Sequence, residues 1–325
     1  MMREQKSKLA ALLMAALTVG TCHGAAARDQ AVTLRFALTA DGKDVGCAAP
    51  LSNLGSGRLE TKLHDARFYI HDVKLIDAKG VRTPVALAQN DWQYAGVALL
   101  DFKDARGGNT PCTDTNPAKN TTVGGTAPAG AYAGLEFSIG VPVQGMADDK
   151  IVSLNHSSTE TAAPPLDIAA MAWNWQAGRK FLLVEVIPPA PYITKSDGSK
   201  TRIWMTHLGS SGCKGNPATG EIVSCARENR FTVTFDRFDP KTQRVEFDLT
   251  RLFENTDLLV DKGGAIGCMT ALDDPECPAI FSALGLNLAE SAPGAGDAGK
   301  QTKPGVSPVF KVGAAKPAKI VGGKQ

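Results

Sequence analysis

Residues 59–77 read LETKLHDARFYIHDVKLID, a run with no glycine or proline in which polar and apolar side chains alternate. Alternation places successive side chains on opposite faces of an extended chain, so the run is predicted to be a strand with one face toward a core. Similar β-rich runs occupy 32–38, 94–102, 131–141, 179–188, 229–239 and 243–249, separated by Gly, Pro, Asn and Asp. Short helical turns are expected at PLDIAAMAW, LTRLFEN and PAIFSALGL, the last with Pro278 at a helix start. No period of about 20 to 50 residues repeats. The fold expected is all-β: one β-sandwich with long loops and a few short helices, large enough to bury its own core.

The two ends divide the chain. Residues 1–27 carry Arg3, Lys6 and Lys8, an apolar run from Leu9 to Val19, and small residues at Ala25 and Ala27. That is the pattern of a secretory signal peptide, cut after Ala27, which predicts an exported protein. Cys22 raises the alternative of a lipid anchor, but Thr21 stands where a smaller residue is expected. No segment reaches the roughly 20 apolar residues of a membrane-spanning helix. The domain is expected over 28–290 and a mobile Gly/Pro/Lys-rich tail over 291–325, pinned at most by Val309 and Phe310. After Asp297 there are six lysines and no acid, so residues 28–298 are net acidic although the whole chain is formally +2. An acidic domain with few aromatics argues against nucleic acid as a partner.

Export makes the cysteines readable. Cys47, Cys112, Cys213, Cys225, Cys268 and Cys277 lie beyond the signal segment, and thiols in an oxidising compartment pair. Proximity favours Cys213 with Cys225 and Cys268 with Cys277, leaving Cys47 with Cys112. Zinc is the rival reading, but no C-x-x-C occurs. The G-x-S-x-G, Walker, H-E-x-x-H and C-x-x-C-H motifs are also absent, so no common enzyme signature is present.

With thiols paired, histidine is the main ligand type left. Beyond the signal segment the chain has His64, His71, His156 and His207, and imidazole is the usual protein ligand for copper. Any one of them read alone is more simply a hydrogen-bonded, half-buried side chain. On a continuous strand His64 and His71, seven apart, face opposite sides, and the apolar flanks of His71 favour it for a pocket. Met205 shares the face of His207 and is a soft reserve ligand, while Trp204 points away.

The order RFYIHDVKLI, WQYAGVALLDF, GAYAGLEFSIGVP, LNH, PLDIAAMAWNWQAGRKFL, HLGSSGC and a late cysteine pair before FSALGL resembles the MbnP family, periplasmic proteins with a four-cysteine and a W-x-W motif. The resemblance covers about residues 31–311. It implies a copper-binding protein, not itself an enzyme, that partners MbnH, a diheme c-type protein of the cytochrome c peroxidase/MauG kind. In that system the partner oxidises a tryptophan to kynurenine and the modified protein binds copper. Carried over, Trp173 and Trp175 match the W-x-W, His156 the LNH, His207 the HLGSxGC, and Cys213, Cys225, Cys268 and Cys277 the four cysteines. His71, His156, His207 and the W-x-W pair are the metal-site candidates, with kynurenine expected at Trp173 or Trp175.

Arg179 beside Lys180 departs slightly from the family pattern. Trp92 and Trp204 are read as packing residues. Two rival readings of W-x-W remain: an aromatic platform for adhesion, or an electron relay to a redox partner without copper.

Overall fold

The Leu59–Asp77 strand runs through the middle of the molecule and pairs with neighbours from end to end, interrupted only where its register shifts. The computed structural model describes residues 28–104, 112, 119–173, 177–189, 192–216, 221–290 and 293–315. In a nine-stranded sheet the central order is Trp204–Gly209, Lys180–Ile187, Leu59–Asp77, Tyr132–Ile139 and Phe231–Phe235, and Val97–Asp101 pairs with the same central strand. A six-stranded sheet lies opposite it, in the order Phe310–Ala314, Gln243–Asp248, Asp29–Ala40, Thr122–Pro128 and Ala86–Leu87, with Lys43–Asp44 beside Asp29–Ala40. Asp29–Ala40 and Gln243–Asp248 pair in parallel; the other strand pairs are antiparallel. The protein is the all-β sandwich that the alternating runs imply.

Its core is locked by phenylalanines from both sheets. Phe68 and Phe137 meet Phe36, Phe247 and Phe310 with ring centroids 5.4 to 6.4 Å apart, mostly edge to face. Such pairs contribute about 0.5–1.5 kcal/mol each beyond the area they bury. Phe310 belongs to the segment expected to be a mobile tail, and that expectation fails for residues 293–315. Phe310–Ala314 forms an edge strand in register with Gln243–Phe247, and Val309 is fully buried. A short apolar sequence suffices here because the neighbouring strand supplies the backbone partners.

The nine-stranded sheet is covered on its outer side as well. Residues 141–171 fold back over it, so that Leu154, Leu166 and Met171 pack on Tyr69, Leu99, Phe181 and Leu183 in a second apolar cluster. The Tyr69 hydroxyl donates to the carbonyl of Pro165 at 2.8 Å. Burial on both faces explains why the Lys180–Ile187 strand is almost wholly apolar.

The helices are few and capped. Asp248 accepts from the Thr250 amide at the start of Leu249–Phe253; Cys277–Leu284 has Pro278 in its first turn and ends at Gly285 with φ +77°. PLDIAAMAW makes only a 3-10 turn, Ala169–Met171. Three disulfides join Cys47 to Cys112, Cys213 to Cys225 and Cys268 to Cys277. No helix among the described residues is long and apolar enough to cross a membrane.

Candidate metal centre

The centre grows from one irregularity in the long strand. Glu185 is paired with Asp65 and Val186 with Leu63, so His64 is an extra residue with no partner position on the neighbouring strand. An inserted residue of this kind is a β-bulge, and it re-aims side chains. Leu63 points into the main core, whereas His64 joins Asp65 on the opposite, outer face. That face also carries Glu185 and, from the adjacent Trp204–Gly209 strand, Met205 and His207, which pair with Glu185 and Leu183.

Glu185 is the hub of this face. His207 Nε2 lies 2.8 Å from Glu185 Oε1 and His64 Nε2 lies 3.6 Å from Glu185 Oε2. Side-chain exposure is 6% for His207 and 14% for both Glu185 and His64. Burial alone would raise the Glu185 carboxyl; its hydrogen bond from His207 and its electrostatic attraction to His207, His64 and Lys180 outweigh burial and hold it below the usual glutamate range. Burial depresses the His207 imidazole, and Glu185 only partly offsets this, so His207 is held toward the neutral form that a metal needs. The Thr206–Cys268 bridge and the bond from the His207 amide to the Cys268 carbonyl, 2.9 Å, fix the strand that carries it.

A buried charge network supports the bulge from behind. Arg67 Nε donates to Asp65 Oδ1 at 3.0 Å and its Nη2 to Oδ2, giving a two-point clamp on the residue next to His64. Lys103 Nζ approaches Asp101 at 3.8 Å and Asp65 at 3.9 Å, and burial pushes the Asp101 carboxyl up to about 6.

The sequence expectations are met unevenly. His71 shares the outer face through Tyr69 and the ladder to Val97, so the two histidines do not face opposite sides. It nevertheless stands away from the Glu185 pair: its ionic neighbours are Arg230, Asp72 and Lys74, and its buried Nε2 has no hydrogen-bond partner. Burial lowers its pKa to about 4. Trp204 is fully buried, packed edge to face on Phe253, and Trp92 lies against the outer cluster, both as packing residues.

His156 and Trp173 meet at one turn. The Trp173 amide donates to the Gly178 carbonyl at 3.0 Å, and His156 Cε1 packs so closely on Gly178 that a β-carbon there would stand 2.9 Å from it. The Trp173 ring lies against Gly209, where a β-carbon would overlap it, two residues beyond His207. Trp175 lies outside the described residues. Arg179, the apparent departure in the motif, is buried and organises this turn through bonds to the carbonyls of Asn155, Ser157 and Leu166.

The description of the MbnP family matches residues 29–270 of the chain, roughly three quarters of its length. The chain belongs to the MbnP family. Among solved structures it is similar to MbnP from Methylosinus trichosporium, with 70% sequence identity and a TM-score of 0.84 over 89% of this chain and 100% of that one. A search of curated proteins gives no match. Within the MbnP domain so matched, sequence reasoning missed His64 and Glu185. The available signal was the single acid inside FLLVEVI; the bulge that turns His64 toward it leaves no mark in the sequence.

Proposed function

We propose that this MbnP-family chain is an exported, periplasmic copper-binding protein that is the substrate, not the catalyst, of a diheme peroxidase-like partner. The observation that carries the reading is the convergence of His64 Nε2 and His207 Nε2 on Glu185. Two imidazoles and a carboxylate suit copper by donor type, and His64 takes the place expected for His71. Copper bound there would supply a Lewis-acidic redox centre. With His207 held toward the neutral form and Glu185 ionised, the ring N–H moves to the other nitrogen when a metal binds, and uptake weakens only when falling pH protonates these groups.

A third donor is expected from the W-x-W. Unmodified indole offers only an N–H, whereas kynurenine has an aryl ketone and an aniline nitrogen. Two equivalents of peroxide, reduced to two waters, deliver two oxygen atoms across the indole C2–C3 bond; hydrolysis then releases the indole C2 carbon as formate. The Trp173 ring on Gly209 lies two residues from His207, which supports a role for this motif beside the histidine pair.

The test is peptide mass after incubation with the diheme partner and peroxide. One tryptic peptide containing Trp173 and Trp175 gains about 4 Da, an oxygen gained and a carbon lost. Trp92→Phe leaves the gain intact. No gain with a partner shown to act on the Methylosinus trichosporium protein would refute the reading.

A further inference from the structure

Behind the W-x-W turn, a second cluster of ligand types stands apart from the Glu185 pair. The strands Ser211–Asn216 and Glu221–Arg227 form a two-stranded ribbon in which Cys213 and Cys225 are directly opposed and bonded. His156 approaches this disulfide from the loop across the turn. Its Nε2 is 3.9 Å from Cys225 Sγ, and a ring nitrogen of His156 and both sulfurs lie within 4.8 Å of one another.

The hydrogen bonds fix the state of that nitrogen. Asn155 Oδ1 accepts from the Arg179 amide at 2.9 Å, so the other amide atom, Nδ2, faces His156 Nε2 at 3.0 Å and donates to it. Nε2 is therefore unprotonated, and an ion would bind there by taking over the lone pair that now accepts from Asn155. A tetrahedral ion with bonds of about 2.0 Å to nitrogen and 2.3 Å to sulfur holds its N and S donors about 3.6 Å apart and two sulfurs about 3.8 Å apart. The first separation is nearly present, and facing strand residues reach the second by side-chain rotation once no bond joins them.

Access distinguishes this disulfide from the others. Cys213 lines a 660 Å³ pocket with Trp173, Arg227, Met269 and Thr270, and Cys225 is half-buried. Cys47, Cys112, Cys268 and Cys277 are at most 4% exposed, inside the main core.

We propose that Cys213–Cys225 and His156 form a redox-gated site for a thiophilic d¹⁰ ion, Zn(II) or Cu(I). A dithiol reductant supplies two electrons and two protons, becomes a cyclic disulfide, and leaves Cys213 and Cys225 as thiols. The ion then displaces their protons and binds two thiolates and the imidazole. The oxidised protein has no such site, so reduction switches it on.

The experiment uses the mature protein, treated with dithiothreitol at the lowest concentration that opens one disulfide, with alkylation to identify the cysteines released. It is run in a His64→Ala/His207→Ala background so that the other cluster adds nothing. Alkylation should fall on Cys213 and Cys225, and Co(II) should then give one equivalent of a thiolate charge-transfer band, absent before reduction and displaced by Zn(II). A bathocuproine competition tests Cu(I) separately. His156→Ala weakens binding by about tenfold or more, with His156→Gln as the substitute if the alanine variant does not fold. Cys213→Ser/Cys225→Ser abolishes the band. Release of Cys268 or Cys277 first, no band after reduction, or a band that survives in the double serine variant or is unweakened by loss of His156 would each overturn the proposal.

Discussion

Replacing Arg179 with methionine tests the way the W-x-W turn is held. The guanidinium makes five hydrogen bonds, two to Leu166 O (3.0 and 2.6 Å) and one each to Asn155 O (3.1 Å), Ser157 O (2.6 Å) and Ser157 Oγ (3.1 Å). Burial depresses the pKa of this group, and Tyr69 and Asp167 give only partial compensation. Methionine fills much of the same space but leaves three carbonyls without their donor, at about 1–3 kcal/mol each if they stay dry. Removing the buried cation recovers part of that cost. The net loss is about 4 kcal/mol, in the range seen when one member of a buried network is removed. At about 2–4 °C per kcal/mol for a domain of this size, Tm falls by roughly 10 °C. Arg179→Lys retains the charge with fewer donors and should fall between the two. Thermal and urea unfolding monitored by near-UV circular dichroism measure the loss with disulfides intact. A loss below about 1 kcal/mol would show that water replaces the guanidinium readily and that the turn is held by other means.

Two further outcomes follow from the same structure. Phe310→Ala removes a ring shared by both sheets and should cost about 3–5 kcal/mol in urea unfolding; a negligible loss would restore the view of this segment as a loose tail. His71 has a folded-state pKa depressed to about 4, so the unfolded chain binds its proton first. Its contribution to stability is complete above about pH 6.5 and is lost as pH falls toward 4, up to about 3 kcal/mol in all. His71→Phe should flatten that part of the stability profile, and an unchanged profile would refute the assignment.

The strands of the sandwich were readable wherever the sheet pattern is written in the sequence itself. Leu59–Asp77 alternates and is a strand over those same residues, and Pro278 marks the start of the one helix among the described residues that runs two turns. Thr122–Pro128, TVGGTAP, was not readable, because its glycines carry no pattern and the strand exists through pairing with Asp29–Arg35. Gly125 is required there by close approach: a β-carbon would clash with the Ala86 carbonyl. The candidate site shows the same division. Residue type singled out His156 and His207, and even parity kept Met205 beside His207. Counting parity across Leu59–Asp77 failed for His64, since one bulged residue reverses the face and register is decided by the neighbouring strand. Arg179 looked like a surface variation because nothing local shows that three carbonyls from distant loops close over it.

The most direct test of the central claim is copper uptake by the oxidised protein and its single-histidine variants, followed by dialysis against a calibrated chelator and by electron paramagnetic resonance. The account predicts about one copper per chain, nitrogen coupling from imidazole, and affinity reduced about tenfold or more in both His64→Ala and His207→Ala, with His71→Ala unchanged. Wild-type affinity in His64→Ala, or its loss in His71→Ala, would contradict a centre built on the bulge opposite Glu185.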